Sequence, residues 1–163
     1  MSGGFLDFLG LGRPDASLRT AVPGDAEALA GLHAGAFRIG WDAAEFERLL
    51  ANRLTRALVA TEGEKLIGFI LLSGVAPEIE ILSVAVSKHR QGRGIGGRLI
   101  ASAFGTLAAE GFTTVFLEVE EGNAAARQLY MRSGFFEIGR RAGYYRDAAG
   151  NPVAALIMRR DIA

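Results

Sequence analysis

The sequence predicts an α/β domain of the α+β kind: one mixed, mostly antiparallel sheet of about seven strands flanked by about four helices. Three observations predict it. Half of the 163 residues are hydrophobic and none is cysteine, so a packed core must hold the chain without disulfides. Strand-length apolar runs and segments of helical spacing follow one another in the order β, α, α, β, β, β, α, β, α, β, β. Short turns separate the early strands and helices separate the later ones, which gives hairpins first and crossovers afterwards.

Leu18 to Val22 reads as a short strand closed by Pro23-Gly24. Asp25 is placed to cap a helix through Ala36, carried by Ala28, Leu29 and Leu32, and Asp42 to cap a second through Ala51, carried by Phe46, Leu49 and Leu50. Ala57 to Thr61 and Lys65 to Ser73 form a hairpin across Glu62-Gly63-Glu64. Ile79 to Val86 is a strand, and a helix starting near Gly94 runs to Gly111 on Leu99, Ile100, Ala103 and Leu107. Thr113 to Glu120 is a β-branched strand, followed by a helix from Asn123, its N-cap, to Arg132. Phe135 to Arg140 and Val153 to Arg159 are the last strands, joined through Gly143-Tyr144-Tyr145 and the turn Ala149 to Pro152. Residues 1–16 read as a loose N-terminal extension and 17–163 as the single folded domain.

Eighteen basic residues balance eighteen acidic ones, so no net field draws the chain to nucleic acid or an anionic membrane. The longest apolar stretch, Leu66 to Val75, is broken by Gly68, Ser73 and Gly74, well short of the roughly 20 residues a membrane helix needs. The absence of cysteine fits a cytoplasmic location and removes both a thiolate metal site and a cysteine nucleophile. His33 and His89 stand alone as surface or helix-face residues, so no metal is expected. Nothing in the sequence indicates the oligomeric state.

The densest functional signal is Ser83 to Ile100, where a strand enters a basic, glycine-rich loop and then a helix. Glycine backbone and free helix-start N–H groups favour a phosphate there. Gly92, Gly94 and Gly97 satisfy a dinucleotide fingerprint, with Glu118 beyond them as the acidic partner. Five residues, Ser87 to Gln91, nevertheless separate strand from glycine, and the expected βαβ repeats are missing downstream. The other parse is Gln91-x-x-Gly94-x-Gly96. At this point the chain resembles the GNAT superfamily of acetyl-CoA-dependent N-acetyltransferases. The resemblance implies acetyl-CoA as cosubstrate, its pantetheine paired with Val84, Ala85 and Val86, and its pyrophosphate wrapped by Gln91, Gly92, Arg93, Gly94, Ile95, Gly96 and Gly97.

Leu117-Glu118-Val119, Asn123, Leu129-Tyr130, Gly134-Phe135 and Arg140-Arg141-x-x-Tyr144-Tyr145 narrow the likeness to the RimI-like ribosomal-protein-alanine N-acetyltransferases. Glu118 stands in a run expected to bury, where a carboxylate is costly unless paired or neutralised, a setting that suits a general base. The resemblance implies Glu118 as base, through water, and Tyr130 as general acid. Asn123 divides between capping and contact with pantetheine. Glu80, read as alternating with Leu82, Val84 and Val86 on one strand face, recognises the acceptor amine or serves as base in reserve. Phe37, Trp41, Tyr144 and Tyr145 are the aromatic candidates for the acceptor slot. The acceptor implied is a protein N-terminus, with a ribosomal protein's alanine favoured. A lysine side chain, a small-molecule amine, or a CoA-binding module without turnover are the alternatives.

Overall fold

The computed structural model describes residues 16–37 and 40–162. Seven strands form one sheet: β1 (Ser17–Thr20), β2 (Thr55–Glu62), β3 (Lys65–Val75), β4 (Glu78–Val86), β5 (Thr114–Glu120), β6 (Phe136–Arg146) and β7 (Pro152–Asp161), in the spatial order β1-β2-β3-β4-β5-β7-β6. Four helices complete the expected order: α1 (Ala26–Ala36), α2 (Ala43–Ala51), α3 (Ile95–Ala109) and α4 (Ala124–Arg132). Two short 3-10 turns, Pro23–Asp25 and Lys88–Arg90, are added to it. Neighbouring strands are antiparallel except β4 and β5, which run parallel.

The caps follow the sequence at two helices and depart from it at the third. Asp42 accepts the Glu45 N–H at 2.9 Å and Asn123 the Ala126 N–H at 3.1 Å, each satisfying an amide the helix leaves without a partner. Asp25 does not cap α1. Its carboxylate instead receives both guanidinium nitrogens of Arg19 at 2.8 Å and the Val22 N–H at 2.8 Å, tying the helix entrance to β1. The extension over 1–16 lies outside the described residues except for Ala16, whose carbonyl accepts from Arg98 at 2.9 Å.

One sheet face packs against α3 and α4 through Ile67, Ile70, Ile79, Leu99, Ile100, Val115 and Leu117; the other packs against α1 and α2 through Leu29, Phe46, Val59, Phe69 and Leu71. Side chains alternate between these faces at period two, and bulges change the count: one leaves Ile67 as an extra residue of β3, and a second lies in β4. Leu71 pairs with Ser83 and Leu72 with Ile81, so Leu82 is an extra residue in β4. Before it, Ile79 and Ile81 face α3; after it, Val84 and Val86 do. The expectation that Glu80 shares a face with Val84 and Val86 is therefore wrong. Glu80 pairs with Ser73 and Phe116, on the opposite face.

The sequence also stops β6 too early. The strand continues through Tyr144 and Tyr145, which it had assigned to a connection, and its register breaks between Arg141 and Tyr145. Gly143 sits inside that break at φ +68°, a backbone region favouring glycine, which explains why the segment reads as a turn.

Candidate active site

The parallel ladder between β4 and β5 holds for only four residue pairs, Glu78–Thr114 to Ile81–Leu117. Beyond Leu82 and Glu118 the two strands separate, which leaves Val84, Ala85 and Val86 on a β4 edge that β5 does not cover. The sheet thus has an open seam in its middle. Its backbone groups there are of the kind an extended ligand can pair with.

At the end of β4 the loop is built from three different uses of glycine. Gly92 and Gly94 adopt φ +79° and +77°, which bends the chain into the start of α3. A Cβ on Gly96 would lie 3.2 Å from Leu129, so Gly96 lets α3 and α4 approach closely. Gly97 has open space around it. The Gln91 side chain folds back and donates to the Val86 carbonyl at 3.1 Å, fixing the loop to the strand. No side chain caps α3 at Gly94, so its first-turn N–H groups remain available to an anion. Two of the four nearby cations are engaged elsewhere: Arg90 forks onto Glu62 at 2.6 and 3.0 Å, and Arg98 holds Ala16. Lys88 and Arg93 make no hydrogen bond or ion pair among the described residues. Open strand edge, bent glycine loop and uncapped helix start together fit a long ligand with a pyrophosphate.

Across the seam, on the face opposite α3, is a cavity of about 320 Å³ lined by Ser73, Glu78, Glu80, Phe116, Glu118 and Ile157. Glu118 is only partly buried, in a run expected to bury fully, and it is paired. Its side chain is 23% exposed and forms an ion pair with Arg141 at 3.3 Å. Glu80 is an exposed residue, yet desolvation by the surrounding strands, followed by the charge of Glu118, pushes its carboxyl above the ordinary range, with Arg141 pulling the other way. Tyr145 also belongs to this group: desolvation first, and then the charge of Glu118, raise its phenol.

Tyr130 is 8% exposed and packs edge-on against Phe135 with ring centroids 5.8 Å apart. Burial, with a smaller contribution from Tyr145, pushes its pKa up to about 12. It lines no part of the cavity containing Glu118. Asn123 acts as the α4 cap. Phe37 and Trp41 lie at the two ends of the α1–α2 connection, stacked on opposite sides of His33 at 4.2 and 4.5 Å. His33 is 3% exposed, so it is a helix-face residue of α1 on the buried side and not at the surface. His89 is exposed as expected. Arg141 was missed as a site residue, although it adjoins the paired tyrosines; nothing in its residue type announces Glu118 as its partner.

Residues 26–135 match the family model described as Acetyltransferase (GNAT) family. The chain is 38% identical over 125 residues to the N-alpha-acetyltransferase RimI of Mycobacterium tuberculosis, covering 74% of this chain and 75% of that protein. It is 33% identical over 167 residues to an uncharacterised Mycobacterium leprae protein, of which it spans only 45% of the length. Among solved structures, the ribosomal-protein-S18-alanine N-acetyltransferase of Escherichia coli superposes with a TM-score of 0.84 at 26% identity, covering 91% of this chain and 94% of that one.

The fold is thus that of an acetyl-CoA-dependent N-acetyltransferase. The chain belongs to the GNAT family, whose cosubstrate is acetyl-CoA, and its relatives include the RimI-like enzymes.

Proposed function

We propose that the chain acetylates the α-amino group of a protein N-terminus, with the alanine of a ribosomal protein as the favoured acceptor, in the cytoplasm. The observation that carries this reading is the convergence of Glu80 and Glu118 on one cavity beside the open seam, in a chain 38% identical to a RimI enzyme. The edge of β4 at Val84 to Val86 holds the pantetheine arm, and the loop from Gln91 to Gly97, with the first turn of α3, holds the pyrophosphate. Asn123 meets the same arm while capping α4. Acetyl-CoA supplies an acetyl group already activated as a thioester.

The residues of the chain then manage two protons. An α-amino group has a pKa of about 7.7 to 8.0 and is mostly charged at pH 7, so it must shed a proton to attack. Glu118 accepts that proton through a water, and Glu80 orients the ammonium. As the N–C bond forms and the C–S bond breaks, Tyr130 gives its proton to the departing sulfur, and the second proton, shed by the nitrogen as it becomes an amide, returns through water to the tyrosinate. A phenol held near 12 by burial carries that proton throughout the neutral range. Phe37, Trp41, Tyr144 and Tyr145 wall the peptide. The test is incubation with acetyl-CoA and peptides beginning with Ala, Ser or Met, read by mass spectrometry. Acetyl groups on the N-terminal nitrogen are expected; acetylation confined to internal lysines refutes the acceptor assignment.

A further inference from the structure

Two arginines stand side by side on β6 and are held very differently. Arg140 forks onto Glu121 at 3.2 and 3.0 Å, a bidentate pair fixed in direction. Arg141 makes one contact with Glu118 at 3.3 Å, and its guanidinium lies 4.7 Å from the centroid of the Tyr144 ring. Its side chain is 51% exposed, and both attachments are of the weak, solvent-exposed kind. The register break of β6 begins immediately after it, so the backbone that carries the Tyr144 platform is not locked into the ladder. Meanwhile the cavity wall brings Glu78, Glu80 and Glu118 together.

We infer that Arg141 is the resident counter-ion of the acceptor pocket, a positioning residue that keeps Glu118 paired until the acceptor's ammonium displaces the guanidinium onto Tyr144. This rests on the acetyl-transfer reading of the same site. A cation beside Glu118 in the resting protein prevents adjacent carboxylates from repelling one another, and an arriving ammonium offers the same charge in the same place. The exchange has a chemical consequence. The charged and titratable groups that face it are Glu118 and the Tyr144 ring, in contact with it, and Glu80, which feels its charge; Glu78 lines the cavity beside those carboxylates, Glu120 acts on the neighbouring Tyr145, and Arg159 on β7 is held by Asp161. Arg141 is the group that pulls the Glu80 carboxyl down, so once the ammonium that replaces it has shed its own proton, Glu80 holds a proton more tightly.

The experiment compares the wild type, Arg141→Gln and Arg141→Lys with a peptide of N-terminal alanine and otherwise neutral sequence. In Arg141→Gln the KM for peptide falls by up to about fivefold, the worth of an exposed ion pair. The acid limb of its kcat/KM profile moves to higher pH, as loss of a nearby opposite charge requires. The KM for acetyl-CoA stays unchanged, and Arg141→Lys restores both values. An unmoved acid limb, or a peptide KM that rises, overturns the inference. Absence of transfer by the wild type to any amine overturns the acetyl-transfer reading instead. Calorimetric titration of the peptide then decides the role of Arg141, with tighter binding to Arg141→Gln expected and weaker or equal binding against it.

Discussion

Replacing His33 by alanine separates two contributions that the fold combines in one ring. The imidazole is 3% exposed, stacks on Phe37 and Trp41, meets Phe46 edge-on at 5.7 Å, and accepts the Trp41 N–H through Nδ1 at 3.0 Å. Two stacks contribute about 2 kcal/mol together beyond area burial, and an amide left without its acceptor costs about 1 kcal/mol more. A loss of about 3 kcal/mol corresponds to a fall of roughly 6 to 12 °C in Tm for a domain of this size. His33→Phe keeps the stacks and loses only the acceptor, so it falls by roughly 3 °C. Burial also lowers the pKa of His33 from its ordinary 6.5, and a proton on Nδ1 would face the Trp41 N–H. The folded state therefore binds that proton less tightly than the unfolded chain, and this stabilising component is present above about pH 6.5 and lost as pH falls below it. The Tm advantage of wild type over His33→Phe should accordingly narrow between pH 7.5 and pH 5. Thermal melts followed by circular dichroism at both pH values measure all of this. An His33→Ala variant melting within 2 °C of wild type, or His33→Phe as unstable as His33→Ala, would refute the clamp.

Three more outcomes are expected. Glu118→Gln and Tyr130→Phe should each lower kcat by roughly 10²- to 10⁴-fold with acetyl-CoA affinity by calorimetry unchanged; equal rates in both variants and wild type would remove these residues from the proton path. Gly74→Ala should destabilise by about 1 to 3 kcal/mol in urea unfolding, because its Cβ would lie 2.5 Å from the Glu78 carbonyl and 2.7 Å from the Ile79 Cα, both backbone atoms that cannot swing aside. Asn123→Ala should cost about 1 kcal/mol through the lost cap, and a weaker affinity for acetyl-CoA beyond that stability change would establish its second contact.

The order of elements was legible because core-facing residues recur at the period of the element that carries them, and the glycine loop because its composition is unusual for a bare connection. Where legibility ended, the cause was always a relation between segments. Leu82 is apolar and fits a strand on either face, so nothing local marks it as the added residue that turns Glu80 away from Val84. Gly143 signals a turn, while the pairing of Tyr145 with Val153 keeps the strand going. His33 looks like a polar residue on a helix, and only Phe37, Trp41 and Phe46 closing around it make it interior. The Asn123 cap could be read because its partner is three residues away; the partner of Glu118 is Arg141, on another strand, and no periodicity reaches that far.

The four-pair ladder between β4 and β5 has a mechanical meaning. It joins two leaves of sheet, β1 to β4 on one side and β5, β7 and β6 on the other, at one end only. The anion loop is attached to the first leaf, while Glu118, Arg141 and, through α4, Tyr130 ride on the second. Below the seam the two leaves are held together by the same core, in which Ile67 and Ile79 of the first meet Val115 and Leu117 of the second beneath α3. A ligand lying along the seam would touch both leaves at once, and so be read by residues that are far apart in the chain.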